Sequence, residues 1–294
     1  MSRHREAARL LGTLLSVGLL AWILHAFANS DAMAQLRNAQ HASALARGVA
    51  AGIPIYAIGV GLLGVAWWLL QRASSSQRVG FVTTEACYAV AQFGKYVPGN
   101  VAHYAGRHTL LHKHGLSHAS LVVCALLEAA LLVCAALAWG APLIDRLGHW
   151  LSPALIWGAI ALGGLGCLAL LMWMPRLRQL VPAPAWLLPA VCVLLLFFAL
   201  MGTTLYVIAA ASGIPAGFLE LTAVAALSWA AGYLVVGAPA GLGVREATFL
   251  ILLRPHVPEG DVLLLAAGFR AATFGGDLLA FLCGLPAVIS RKRP

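Results

Sequence analysis

From Val49 to Leu70 the chain runs twenty-two residues without a charge. At 1.5 Å per residue, a helix of that length crosses the roughly 30 Å of hydrocarbon in a bilayer. Comparable stretches recur at Leu10–Ala28, Ala119–Ala138, Ala154–Met174, Ala185–Ala211, Leu221–Val236 and Val262–Ile289. Charged residues make up only 10% of the 294, against about a quarter in a soluble domain. The expected fold class is an all-α polytopic membrane protein. No soluble-looking block interrupts the pattern, so residues 1–294 read as a single integral membrane domain.

The formal net charge of +9 is distributed as a topology signal. Arg3, Arg5 and Arg9 open the chain, Arg72 and Arg78 follow the second span, Arg176 and Arg178 the fourth, and Arg291, Lys292 and Arg293 close it. The opposite connections hold fewer cations: Arg37, Arg47 and Arg146. The positive-inside rule then places both termini in the cytoplasm. Seven spans cannot return the chain to its starting side, so an interrupted stretch at 237–254 is assigned a further crossing, for about eight passages. With no basic domain and no nucleic-acid motif, no nucleic-acid partner is expected. Arg3 to Arg9 and the "AFA" at Ala26–Ala28 imitate a signal peptide, but the apolar run is long for one, and a retained first helix is expected.

Two stretches, near 79–113 and 237–254, contain apolar pieces too short to span, interrupted by Pro and Gly. In the first, Lys95 precedes Pro98, Gly99 and Asn100, and Arg107 follows. In the second, Pro239, Gly241 and Gly243 precede Arg245 and Glu246. Pro98 stands 30 residues before Glu128 in the next span, and Pro239 stands 31 before Arg270. A break in a membrane helix leaves backbone groups needing protein, water or ligand. Paired Gly/Pro-interrupted segments in two halves point to the site of a two-repeat, transporter-like bundle, with broken or re-entrant segments.

The residues around the breaks suggest a phosphate. Lys95, Arg107 and Arg245 suit a lipid headgroup phosphate, Arg by bidentate hydrogen bonds and Lys as a point charge. A helix N-terminus after each break would add N–H donors. Glu128 and Glu246 would balance charge or receive a cationic group. Arg245 and Glu246, as neighbours, cannot share a helix face, so separate partners are expected. Arg270 and Asp277, seven apart in the last span, are expected to couple or to brace the bundle as an ion pair. Glu85 and Glu220 fall near segment ends, where interfacial roles are expected. The six cysteines lie in apolar stretches without CxxC spacing. His108 and His112 lack a completing carboxylate or cysteine. No disulfide, metal or other cofactor is expected. Neither an activated-nucleophile motif nor a P-loop is present, and no enzymatic activity is expected.

"GKYVPGN" followed by Gly106-Arg107, and "APAGLGVREATFLILL" some 140 residues later, resemble the two hallmark segments of the lysylphosphatidylglycerol synthase transmembrane-region family. That family includes the flippase half of the bacterial multiple-peptide-resistance factor and stand-alone membrane proteins. The resemblance implies movement of an anionic or lipid-linked substrate between leaflets of the bacterial cytoplasmic (inner) membrane. It matches Lys95, Pro98, Gly99 and Asn100 to the first motif and Pro239, Gly241, Gly243, Arg245 and Glu246 to the second. Ala240 stands where a second glycine is expected. No soluble synthase domain follows Arg293, so synthesis of a lysyl-lipid is not expected. The expected partner is a membrane lipid with a phosphate headgroup. The alternative is a non-transporting scaffold for a lipid-modifying or glycosyl-transferring enzyme.

Overall fold

The computed structural model describes residues 28–75, 77–96, 102–147, 183–235 and 239–290, with single positions 18, 21 and 25. The expected spans Leu10–Ala28 and Ala154–Met174 lie outside the described residues, apart from those positions and Ala28. Among the described residues the chain is all helix, with no strand. In order come α1 (Ala32–Arg37), α2 (Ala39–Ser74), α3 (Phe81–Gln92), a 3-10 turn (Phe93–Tyr96), α4 (Ala102–His112) and α5 (His118–Leu147). A second 3-10 turn (Pro184–Trp186) leads to α6 (Leu187–Ala211), α7 (Phe218–Leu234), a third turn (Pro239–Gly241), α8 (Val244–Leu253) and α9 (Glu259–Ser290).

Four described helices are long and apolar enough to cross a membrane: Ala39–Ser74, His118–Leu143, Leu187–Ala211 and Glu259–Ser290. Their outer faces carry large apolar side chains, such as Ile58, Leu126, Leu188 and Leu282, all more than half exposed. Charge is found inside instead: Arg107, Glu128 and Asp277 are buried. This is the pattern of a helix bundle whose solvent is lipid, where intramembrane charges face the bundle interior.

α2 is the central mast, packed along α6 and α9. Asn38 caps it by accepting a hydrogen bond from the Gln40 backbone N–H at 3.0 Å. Glycines allow the close approach. A Cβ at Gly48 would stand 2.9 Å from the Ile208 Cα, and one at Gly52 3.1 Å from the Thr204 side chain. In lipid, helices associate largely through such packing of small residues. The tightest of these contacts joins α6 to α7, where Gly202 faces Thr222. A Cβ at Gly202 would meet the Thr222 hydroxyl and come within 2.8 Å of its Cα, so side-chain movement alone cannot relieve it. Gly202→Ala is expected to destabilise by about 1–3 kcal/mol, read as a lower thermal midpoint of the purified protein.

The two halves are built alike. α3, a break, α4 and the long α5 in the first correspond to α7, a break, α8 and the long α9 in the second. The halves also exchange neighbours: α3 packs on α9, and α7 packs on α5. The 3-10 turns at the two breaks touch each other. Segments about 140 residues apart in sequence therefore meet at one place.

Candidate functional site: the junction of two helix breaks

In each half, the short helix after the break is tied to the following long helix by one arginine–carboxylate pair, with the signs exchanged. In the first half Arg107 of α4 meets Glu128 of α5. Its Nη1 donates to Oε1 at 2.9 Å, and its Nη2 lies 2.9 Å from Oε2. The Tyr88 hydroxyl donates to the same Oε1 at 2.6 Å. The guanidinium also lies over Trp67 at 4.0 Å, Tyr88 at 4.3 Å and Tyr104 at 5.1 Å. With side chains 2% and 1% exposed, the pair is sealed and both carboxylate oxygens are occupied. Sequence reasoning offered Arg107 and Glu128 to a ligand; the structure commits them to each other.

In the second half the carboxylate is on the short helix. Gly243 precedes α8 at φ 82°, a left-handed geometry that suits glycine. Glu246 reaches back so that its Oε2 accepts from the Gly243 N–H at 2.8 Å, capping α8. Its other oxygen, Oε1, lies 3.2 Å from Arg270 Nε on α9. Arg270 Nη1 donates to the Ala240 carbonyl at 2.9 Å. Ala240, the position where glycine was expected, adopts φ 49° and ψ 24°. Such a conformation costs an L-residue roughly 1–2 kcal/mol, and the hydrogen bond from Arg270 helps to hold it.

A third contact joins the halves across the junction. Lys95, in the turn before the first break, pairs with Asp277 of α9 at 2.7 Å. The Tyr96 hydroxyl donates to Asp277 Oδ2 at 2.6 Å, and Lys95 Nζ donates to the Tyr56 hydroxyl at 3.4 Å. Phe93 and Tyr96 pack their rings against Phe274, with Phe93 also against Phe281. Arg270 and Asp277 therefore do not pair with each other, as their spacing along α9 suggested. Each takes a partner from a different break.

Arg245 is left over. Its stem threads between Gly232 of α7 and Gly241, where a Cβ at either position would come within 2.8 Å of it. Among the described residues no carboxylate lies within ion-pair distance of it, and its buried Nε has no hydrogen-bond partner. Arg270 Nη2 is likewise buried without one. Both guanidiniums line a narrow pocket with Glu246, Phe249, Phe269 and Thr273. Lys95, Arg245 and Arg270 face two carboxylates, Glu246 and Asp277, so among the described residues the junction retains one uncompensated positive charge. Removing Glu246 would leave Arg270 without its carboxylate partner and α8 without its cap. Glu246→Ala is expected to cost about 2 kcal/mol or more, and Glu246→Gln, which can still cap α8, less. Thermal midpoints of the two variants check the order.

Of the residues proposed from sequence, Lys95, Gly241, Gly243, Arg245, Glu246, Arg270 and Asp277 thus converge, and Pro239 opens the third 3-10 turn. Pro98, Gly99 and Asn100 lie outside the described residues. Tyr56, Tyr88 and Tyr96 went unnoticed, though the adjacency of Tyr96 to Lys95 was a usable signal. The histidines lie at the polar connection from α4 to α5. His108 Nε2 sits 2.7 Å from His118 Nδ1, and the His112 and His118 rings stack at 3.9 Å. Desolvation first, and then His118 and His112, hold the His108 imidazole below its usual range. Among the described residues no group of three or more side chains is arranged to hold a metal.

The broken segments, the exchange of neighbours and the convergent cations can be set against known families. The sequence profile of the lysylphosphatidylglycerol synthase transmembrane region matches residues 9–280. The chain belongs to that family. The match spans nearly the whole chain, including both breaks and all three ion pairs just described. No curated protein matches the chain. Membership of the lysylphosphatidylglycerol synthase transmembrane-region family and the apolar helices establish a membrane-embedded protein.

Proposed function

We propose that this chain is a lipid translocator, moving an anionic or lipid-linked substrate between leaflets of the bacterial cytoplasmic membrane. The observation that carries this reading is Arg245: a guanidinium at the meeting point of two broken segments, with a buried unpartnered Nε and no carboxylate of its own among the described residues. An unpaired cation inside a membrane bundle is costly and is a mark of function. A phosphate ester supplies what it lacks, an anion with acceptors for Arg245 Nε and for Arg270 Nη2. In this reading Lys95 with Asp277, and Glu246 with Arg270, set the breaks in place, while Arg107 with Glu128 braces the first half.

The topology belongs to the same proposal. The chain makes about eight passages with both termini cytoplasmic, a reading supported by the cation distribution. The breaks form re-entrant segments of two structural repeats, which rock about the junction in alternating access. The pocket at Arg245 has room for about one water molecule at most, so a headgroup enters only when the repeats separate. No chemical step is assigned to the site, and the protein acts as a carrier rather than an enzyme.

Reconstitution in liposomes with a fluorescent anionic phospholipid tests the reading. Outer-leaflet quenching should follow flip rates well above those of protein-free vesicles. Rates equal to empty vesicles across several lipid classes would refute transport and leave the scaffold reading.

A further inference from the structure

Glu85 packs against α2. It lies on the second turn of α3, and α3 lies against α2 so that Phe81 meets Trp68 edge-on at 5.5 Å. One turn further on, the Glu85 carboxyl fills the space where a Cβ of Gly64 would stand. Gly64 precedes Arg72, the cation near the end of α2, by eight residues, or about 12 Å along the helix. The carboxyl therefore sits well below the level of that cation, against bare backbone in the apolar part of α2. Its outer flank is formed by Phe81 and Val82, which share its helix face and are 44% and 60% exposed. On the perimeter of this bundle, exposure means lipid.

The cations on the surrounding elements are committed elsewhere among the described residues. On α2, the Gln71 amide donates to Thr84 and the Arg72 guanidinium lies over Trp68 at 4.0 Å. On α3, Tyr88 is turned to Glu128. On α4, Arg107 is held by Glu128; in the 3-10 turn, Lys95 is held by Asp277; on α9, Arg270 is held by Glu246. Glu85 Oε1 is buried without a hydrogen-bond partner, and among the described residues no cation lies within ion-pair distance of the carboxyl. Glu128 and Asp277 look from sequence like the natural intramembrane proton carriers. Both are instead locked in buried pairs, and protonating either would strand a cation.

Stripping a lone carboxylate of water costs several kcal/mol, and a group so placed neutralises instead. We propose that Glu85 is a proton-binding site at the lipid-facing edge of the α2–α3 contact, occupied by a proton at neutral pH and emptied when α3 moves and admits water. That exchange supplies a step through which a proton gradient can drive the bundle; this last clause rests on the translocator reading, whereas the site itself does not.

A hydrophobic carbodiimide probes the site directly, because it reacts with a protonated carboxyl in an apolar setting. The acid proton passes to a carbodiimide nitrogen and the carboxyl oxygen adds to the central carbon. An oxygen-to-nitrogen acyl shift then gives a stable N-acylurea with no leaving group. The purified full chain is treated with dicyclohexylcarbodiimide and its peptides are sequenced by mass spectrometry. The expected adduct is on Glu85, absent in Glu85→Gln, and about tenfold weaker or more on Glu128 and Asp277. Labelling should persist through about pH 7 and fall only above it, as an acid retained beyond the usual glutamate range requires. No adduct on Glu85 in the folded chain, or a decline already complete by about pH 5, overturns the proposal. In liposomes that flip lipid, an imposed pH gradient should alter the wild-type rate and leave that of Glu85→Gln unchanged. Equal responses remove the coupling step without touching the labelling result.

Discussion

Replacing Glu128 with alanine is expected to cost about 3–5 kcal/mol of stability, the largest loss from any single substitution at the ion pairs. The magnitude follows from what remains behind. Arg107, with its side chain 2% exposed, would keep its charge without either of the two oxygens that now receive its N–H groups. The rings of Trp67, Tyr88 and Tyr104 would still face it, but cation–π contacts return only about 1–2 kcal/mol. Tyr88 would lose its acceptor as well. Removing both charges should therefore be milder than removing one. The double variant Arg107→Met, Glu128→Leu is expected to unfold at a higher temperature than Glu128→Ala alone, and the double-mutant cycle reads the coupling. A Glu128→Ala midpoint indistinguishable from wild type would show that the pair does not brace the first half.

Arg245→Met should behave in the opposite way. The flip rate of an anionic lipid is expected to fall by about 100-fold, equivalent to roughly 2.7 kcal/mol of lost interaction with the moving substrate. Stability should stay level or rise by about 1 kcal/mol, because the variant removes a partly buried cation that has no counter-charge among the described residues. Methionine retains the stem that packs between Gly232 and Gly241, so loss of packing contributes little. Function and stability then move apart, as they do where a site is held ready for a ligand rather than for the fold. Arg270→Met would not separate them so cleanly, since Arg270 also holds the strained Ala240 carbonyl.

The long helices were legible because hydrocarbon thickness sets a length that an uncharged run either reaches or does not. Val49–Leu70, Ala119–Ala138, Ala185–Ala211 and Val262–Ile289 each fall within α2, α5, α6 or α9, to within two residues at the start of α6. The ends of α3 and α7 were legible too, since Pro and Gly mark positions where helical hydrogen bonding must stop. Partner choice was not. Asp277 meets Lys95 across 182 positions of sequence, and no periodicity along α9 encodes that meeting. It depends on the α3–α9 packing that brings the first turn to the second break. The packing of Glu85 against Gly64 is hidden in sequence for a related reason: nearness to the end of a short segment says nothing of the helix beside it. The depth of α3 is set instead by the longer α2 beside it. Ala240 shows the converse, a residue whose unusual backbone conformation follows from the motif position rather than from its own side chain.

If the junction of the breaks is a lipid-phosphate site, Arg245 is the cation that meets the phosphate. Equilibrium binding of a short-chain phosphatidylglycerol to the purified protein decides this, with diacylglycerol of the same chain length as the control that lacks the phosphate. Saturable binding of the phospholipid by the wild-type chain is expected, with loss of that binding in Arg245→Met and no comparable binding of diacylglycerol. Undiminished phospholipid binding by Arg245→Met, or equal affinity for diacylglycerol, would contradict it.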